Sequence, residues 1–152
     1  MLHHLHSPRK AIQLFYDILK PGGIYIGEEG IISAAFAYST SFAWQGYEPH
    51  LKAPNEEIDG VDRDGDFGIK LFYCTKQAGF KIDNCQIVQP LLWKKAQKKL
   101  LLNNLNEFKK TALSQGMTVA EWDSKFQETQ RLIKDEDQLI AFYASCQIAA
   151  IK

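Results

Sequence analysis

The sequence predicts an α/β protein, a small mixed sheet covered by helices. Three observations predict it. An apolar stripe at helical spacing runs from Ala11 to Leu19 and stops at a Pro-Gly-Gly turn, and a short strand-like segment, "IYIGEE", follows that turn at once. The third is bulk composition: 152 residues that are 45% hydrophobic and 24% charged suit one ordinary globular domain able to bury a core.

The first element is the clearest. Ser7 followed by Pro8 predicts a helix start, with a hydroxyl to cap free N–H groups and a proline where its missing N–H costs nothing. Ala11, Leu14, Phe15, Ile18 and Leu19 then fall at i, i+3, i+4, i+7 and i+8, one buried stripe. Lys20 lies in the last turn, where the helix dipole favours a cation, and "PGG" ends the helix. "IYIGEE" places Ile24 and Ile26 on one face of a strand that finishes at Glu28 and Glu29. In open α/β folds ligands bind at the carboxyl edge of the sheet, so the loop before such a helix and the end of such a strand are where functional side chains are expected. The strand that would come before this helix is not in the sequence.

"GIISAAFAYSTSFAWQGYEPH" carries Ile31, Ile32, Ala35, Phe36, Ser39, Phe42 and Ala43 at helical spacing, which predicts a helix packed on the sheet. The segment 48–66 holds seven acids against Lys52 and Arg63, net −5, and reads as a solvated loop ending in Asp66 as a helix cap. A calcium loop is excluded there: with Gly65 as the required glycine, the twelfth position falls on Leu71 instead of a bidentate glutamate. "WKKAQKKLLLNNLNEFKK" has six lysines against Glu107, with Leu101, Leu105, Phe108 and Ala112 forming a stripe, and reads as a lysine-decorated surface helix. Thr118 and Glu121 form a capping box that opens a further helix through Val119, Trp122, Phe126 and Ile133. The closing "LIAFYASCQIAAIK" fits helix and strand alike by pattern.

Composition excludes several classes of function. Formal net charge is zero, so no global field recruits nucleic acid or an anionic membrane surface. Cys74, Cys85 and Cys146 are an odd count without a C-x-x-C pair, which argues for reduced, mostly buried thiols and a cytoplasmic setting. No apolar stretch follows the basic residues near the start, so no signal peptide is expected, and "IISAAFAYSTSFAW" is too short and hydroxyl-rich to span a bilayer. His3, His4 and His6 lie too close in sequence to converge on a metal unaided, and His50 stands alone in a proline-flanked loop, so no metal site is expected.

"MLHHLHSPRKAIQLFYDILKPGGIYIGEE" resembles the second half of a class I S-adenosylmethionine-dependent methyltransferase, in which a "vLhHl.dp" loop, a helix and "LkPGG" lead into the next strand. "DGDFGIKLFYCTKQAGFKI" is similar to that family's late helix, its "aGF" turn and its sixth strand. "GMTVAEWDSKFQETQRLIKDEDQLIAFYASCQIAAIK" is similar to the closing helix and seventh strand of small-molecule members. The resemblance covers nearly the whole chain, loosely through 31–65 and 90–115. It implies a partial Rossmann-like methyltransferase fold with three strands, at about 24–29, 81–88 and 142–151, the last inserted antiparallel between the other two after a helical start.

The same resemblance assigns roles. Leu2, His3 and His4 match the loop that passes the cofactor's methyl-bearing sulfonium, and one of the two imidazoles would serve as general base when the methyl acceptor carries a proton. Glu28 or Glu29 would orient the acceptor, and Phe36, Tyr38, Phe42 and Trp44 would shape a pocket for a bulky small molecule. The expected organisation is one domain over 1–152: a helix plus strand in 1–30, a lid or insert in 31–65, a helix plus strand in 66–90, and a helical pair with the final strand in 91–152. The departure from the family is equally definite. No G-x-G-x-x-G occurs, and no acid can be placed at the end of a second strand, so the main cofactor-binding half is absent and the chain reads as a truncated, substrate-side portion. Its expected partners are a small-molecule methyl acceptor and either a second copy or a chain supplying the missing half. The competing expectation is a non-catalytic remnant or interaction module that pairs through an open sheet edge.

Overall fold

The computed structural model describes residues 2–37, 57–58, 61–62, 65–114 and 116–152. The chain forms two compact units, one from Met1–Ala34, Ala53–Gln89 and Tyr143–Lys152, the other from Ala35–Lys52 and Pro90–Phe142.

The first unit is built on a three-stranded sheet. Its strands are β1 (Ile24–Ile31), β5 (Lys81–Val88) and β8 (Ala144–Ile151), in the order β1-β8-β5. β8 is antiparallel to both neighbours, so β1 and β5 run in the same direction, as the inserted last strand requires. Helices α1 (Pro8–Ile18) and α2 (Phe67–Gln77) supply the side chains of the core, which joins Ile12, Phe67, Leu71 and Cys74 to Tyr25, Ile31, Ala144, Cys146, Ile148 and Ala150. The period-two alternation of β1 and β8 puts those strand residues on the covered face. Ile24 and Ile26 point the other way and are 66% and 78% exposed.

Glycines set the two close turns of this unit. Gly22, at φ 79°, occupies a left-handed conformation after α1, and its N–H donates to Lys152 O at 3.0 Å while the Lys152 N–H donates to Gly23 O at 3.0 Å. The turn is thereby tied to the end of β8. Gly79, at φ 102°, ends α2 in a Schellman motif: its N–H donates to Lys76 O at 3.0 Å and the Phe80 N–H to Thr75 O at 3.3 Å. Phe80 then lies edge-on to Tyr16, with centroids 4.9 Å apart, and stacks on Tyr25 at 5.0 Å. These aromatic contacts lock α1, β1 and the end of α2 together.

The second unit has its own small sheet, β2 (Phe36–Ala37), β7 (Ile140–Ala141) and β6 (Leu91–Leu92), with β7 in the middle. Helices α3 (Lys95–Lys98), α4 (Leu100–Ser114) and α5 (Val119–Lys134) complete it. The capping box at α5 is formed: the Glu121 N–H donates to Thr118 Oγ1 at 3.2 Å, and the Thr118 N–H donates to Glu121 Oε2 at 2.8 Å. Lys98 is fully buried, and its Nζ donates to Asp135 O at 2.5 Å and Leu132 O at 3.5 Å. A lysine from α3 therefore satisfies carbonyls at the C-terminus of α5, where the dipole favours a cation. A two-stranded hairpin, β3 (Glu57–Ile58) with β4 (Val61–Asp62), lies in the acidic segment.

Several sequence expectations are corrected. β1 continues to Ile31, a 3-10 turn covers Ile32–Ala34 and β2 follows, so the helix expected from Ile31 is not formed through Ala37. A short apolar run satisfies helical and extended spacing alike, and pairing of Ile31 with Ala144 decides for the strand. The acidic segment is not wholly a loop, because it contains the hairpin. The helical start expected near Leu139 is replaced by β7, and β8 begins at Ala144. Leu14 and Ile18 are exposed, because the sheet meets the neighbouring stripe centred on Ile12. Ser7 and Asp66 stand at the N-caps without donating or accepting a side-chain cap bond. Asp66 Oδ1 instead accepts the Ser33 N–H at 2.9 Å. Tyr38, Phe42, Trp44 and His50 lie outside the described residues.

α2 approaches β1 so closely that a Cβ on Gly68 would lie 2.6 Å from Glu29 O and 2.7 Å from Gly30 O, both rigid backbone atoms. Gly68→Ala is therefore expected to destabilise the first unit by roughly 1–3 kcal/mol, the range for overpacking a filled core. Urea denaturation of the variant against the parent checks this; an unchanged midpoint would contradict it.

Candidate functional site

Alternation along β1 separates its two carboxylates. Glu29 follows Tyr25 and Gly27 onto the helix-covered face and is 3% exposed, whereas Glu28 points to the open face. The two lie on opposite sides of the sheet and so belong to different sites.

Glu29 is the centre of the covered side. Its Oε1 accepts the Leu2 N–H, and its Oε2 contacts His3 Nδ1 at 2.5 Å, with the His3 N–H at 3.5 Å. Leu2–His4 forms a 3-10 turn, Leu2 is buried in the core, and the His4 ring lies against His3 with centroids 3.9 Å apart. The turn thus sits at the carboxyl end of β1. Burial opposes the charge on Glu29, but the favourable interactions of the carboxylate, the His3 hydrogen bond first and the Leu2 N–H among them, outweigh it and hold the carboxyl down to about 2. An ionised carboxylate only accepts, so His3 Nδ1 carries the proton of this contact. The same charge reaches Tyr25: burial first, then Glu29 and Cys74, push its hydroxyl up to about 12.

The open side is simpler. Ser145 Oγ donates to Glu28 Oε1 at 2.7 Å, and this bond, with one from Gln147, holds the Glu28 carboxyl below its ordinary value. Gln86 Nε2 donates to Gln147 Oε1 at 2.8 Å, so a polar row crosses all three strands at this level. Phe36 is 58% exposed and belongs to the second unit. Among the described residues there is no group of three or more His, Cys, Asp or Glu able to hold a metal, and no helix long and apolar enough to cross a membrane.

His3 and Glu29 stand out in the sequence separately, and the fold brings them together. Ser145, Gln147 and Gln86 do not stand out there. The alternation of "ASCQIAAI" was the available signal, but it is weak because both faces of that strand carry apolar residues.

No protein-family model matches the sequence, and no curated protein is significantly similar to it. Solved structures similar to this chain include phosphoethanolamine N-methyltransferase 2 of Haemonchus contortus with phosphomonomethylethanolamine and S-adenosylhomocysteine (15% identity, TM-score 0.43). They also include the [4+2]-cyclase SpnF (17%, 0.45) and a structure from Bacillus halodurans C-125 named as a methyltransferase (14%, 0.49). They cover 100%, 100% and 99% of this chain, which in turn spans 32%, 47% and 65% of theirs.

The depressed Glu29 carboxyl gives a signed pH dependence. Its ionised form is favoured by folding, so the stabilisation is complete above the ordinary carboxyl value of 4.5 and is lost as pH falls toward about 2. Roughly 2 kcal/mol is at stake after allowance for solvent screening. Amide exchange of Leu2 and His3 is expected to accelerate over that window in the parent chain, and in Glu29→Gln to be fast and pH-insensitive beyond the intrinsic rate. Equal protection in both chains at pH 6 would contradict the assignment.

Proposed function

We propose that this chain forms the substrate-side portion of a cytoplasmic S-adenosylmethionine-dependent methyltransferase acting on a small molecule. The observation that carries the reading is the buried Glu29 gripping His3 at the carboxyl end of β1, the edge at which open α/β sheets bind ligands. The sequence resemblance, from "LHHLHSP" to the inserted last strand, supports it.

In this reading His3 is the general base. Glu29 fixes the tautomer with Nδ1 protonated and stabilises the imidazolium formed when Nε2 takes a proton from the methyl acceptor. Of the two acids expected to orient the acceptor, Glu29 is the one on the His3 side of the sheet and takes that part through His3, and Leu2, His3 and His4 are assigned to the cofactor's edge. The cofactor supplies an electrophilic methyl group. The described residues do not fit it on their own: Leu2 is spent in the core, His3 Nδ1 is engaged by Glu29, and no glycine-rich loop is in the sequence. Useful affinity therefore requires contacts from elsewhere, because four residues offer too few to exceed the entropy of association.

A second observation favours self-association or an interaction role. Among the described residues β1 has β8 on one side and no strand on the other, and "IYIGEE" carries no lysine or proline to blunt that edge. A second copy, or a chain bearing the glycine-rich half, would pair there.

Titration of the labelled chain with S-adenosylhomocysteine tests the first reading. At millimolar ligand the amides of Leu2, His3, His4 and Glu29 are expected to shift, while calorimetry finds no one-to-one binding in the low micromolar range. Absence of shifts at these amides, or tight binding, would contradict it.

A further inference from the structure

The sheet holds a pair of thiols that the proposed chemistry does not use. Cys85 on β5 and Cys146 on β8 have their Sγ atoms 4.0 Å apart. The register sets Cys85 opposite Ile148 and Cys146 opposite Ile87, so the two are diagonal neighbours on one face of adjacent strands. Cys85 is exposed, whereas Cys146 is buried, and Cys74 is buried in α2. Cys146 also stands directly opposite Glu29 in the β1–β8 ladder.

Geometry decides which strand can move. Diagonal cross-strand pairs lie about 7–8 Å apart at Cα, whereas a disulfide spans about 4.4–6.8 Å, so closing this pair needs a small backbone shift as well as side-chain rotation. β8 is paired on both sides and cannot shift without breaking two ladders. Among the described residues β5 is paired on one side only, and its register is already interrupted between Ile82 and Asn84, immediately before Cys85. Such bulges bend a strand locally.

We propose that Cys85 and Cys146 are a reversible two-electron thiol site whose oxidising partner is a low-molecular-weight disulfide of the glutathione class. Exposure fixes the order of events. The Cys85 thiolate attacks one sulfur of the small disulfide, forming a mixed disulfide on Cys85 and releasing one small thiolate. Cys146 then gives up its proton to solvent and attacks Cys85 Sγ. The Cys85–Cys146 bond forms, the mixed disulfide breaks, and the second small thiolate leaves. Two protein thiols are oxidised, and one small disulfide is reduced to two thiols. Burial, with the neighbouring Cys85, pushes the Cys146 thiol up to about 11, so the second step is slow and the mixed disulfide accumulates first.

Incubation of the full chain with oxidised glutathione, alkylation at timed intervals and peptide mass mapping test this. The expected course is transient glutathionylation of Cys85, then an intramolecular Cys85–Cys146 link that reduced glutathione reverses, with Cys74 unmodified. Cys146→Ser should stop at the mixed disulfide, and Cys85→Ser should leave the folded chain unmodified. Because the parent chain carries the decisive readout, a variant that fails to fold does not remove the test. A parent chain that stops at the mixed disulfide, links through Cys74, or forms only intermolecular bonds would overturn the proposal.

Discussion

Pairing of β8 on both edges is the constraint on which the first unit depends. Among the described residues β1 and β5 are not neighbours in the sheet, and each has its ladder on Ala144–Ile151. The register also fixes faces, because a slip of one residue would turn Ala144, Cys146, Ile148 and Ala150 away from the helices and expose what is now core. The small residues of this set leave room for α2, while Ile148 alone contributes burial of about 1.5–3 kcal/mol. The link from Gly22 and Gly23 to Lys152 fixes the far end of the same strand.

The candidate site is a consequence of that register. β8 opposes Cys146 to Glu29 and Gln147 to Glu28, which sends the two carboxylates to opposite faces. A buried carboxylate would cost several kcal/mol if left unpaired. Glu29 escapes that cost because the Leu2 and His3 groups donate to it, and in doing so they fasten the Leu2–His4 turn to the sheet edge. Gly68 belongs to the same arrangement, since only the absence of a side chain lets the first turn of α2 rest on the backbone of Glu29 and Gly30.

Local features were legible in the sequence. The start and end of α1, the strand after its glycine turn, and the Thr118–Glu121 capping box all rest on contacts within a few residues, which spacing reveals. Glu28 and Glu29 could be placed on that strand for the same reason, although it continues past them to Ile31. What could not be read depends on partners far along the chain. The His3–Glu29 pair spans 26 residues, and Lys98 caps a helix 34 residues away. The run from Ile31 to Ala37 fits two periodicities and is settled by pairing with Ala144 and Ile140–Ala141. Leu14 and Ile18 obey the helical spacing yet lie off the stripe that the sheet covers, because periodicity gives the width of an apolar face and not its centre.

A buried, ionised Glu29 holds His3 in one tautomer at the sheet edge. Long-range proton–nitrogen correlation of the His3 ring, recorded near neutral pH in the parent chain and in Glu29→Gln, tests it most directly. A protonated Nδ1 with a slowly exchanging ring proton is expected in the parent, and loss of that preference in the variant. A His3 ring protonated at Nε2 alone, or a spectrum identical in the two chains, would contradict it.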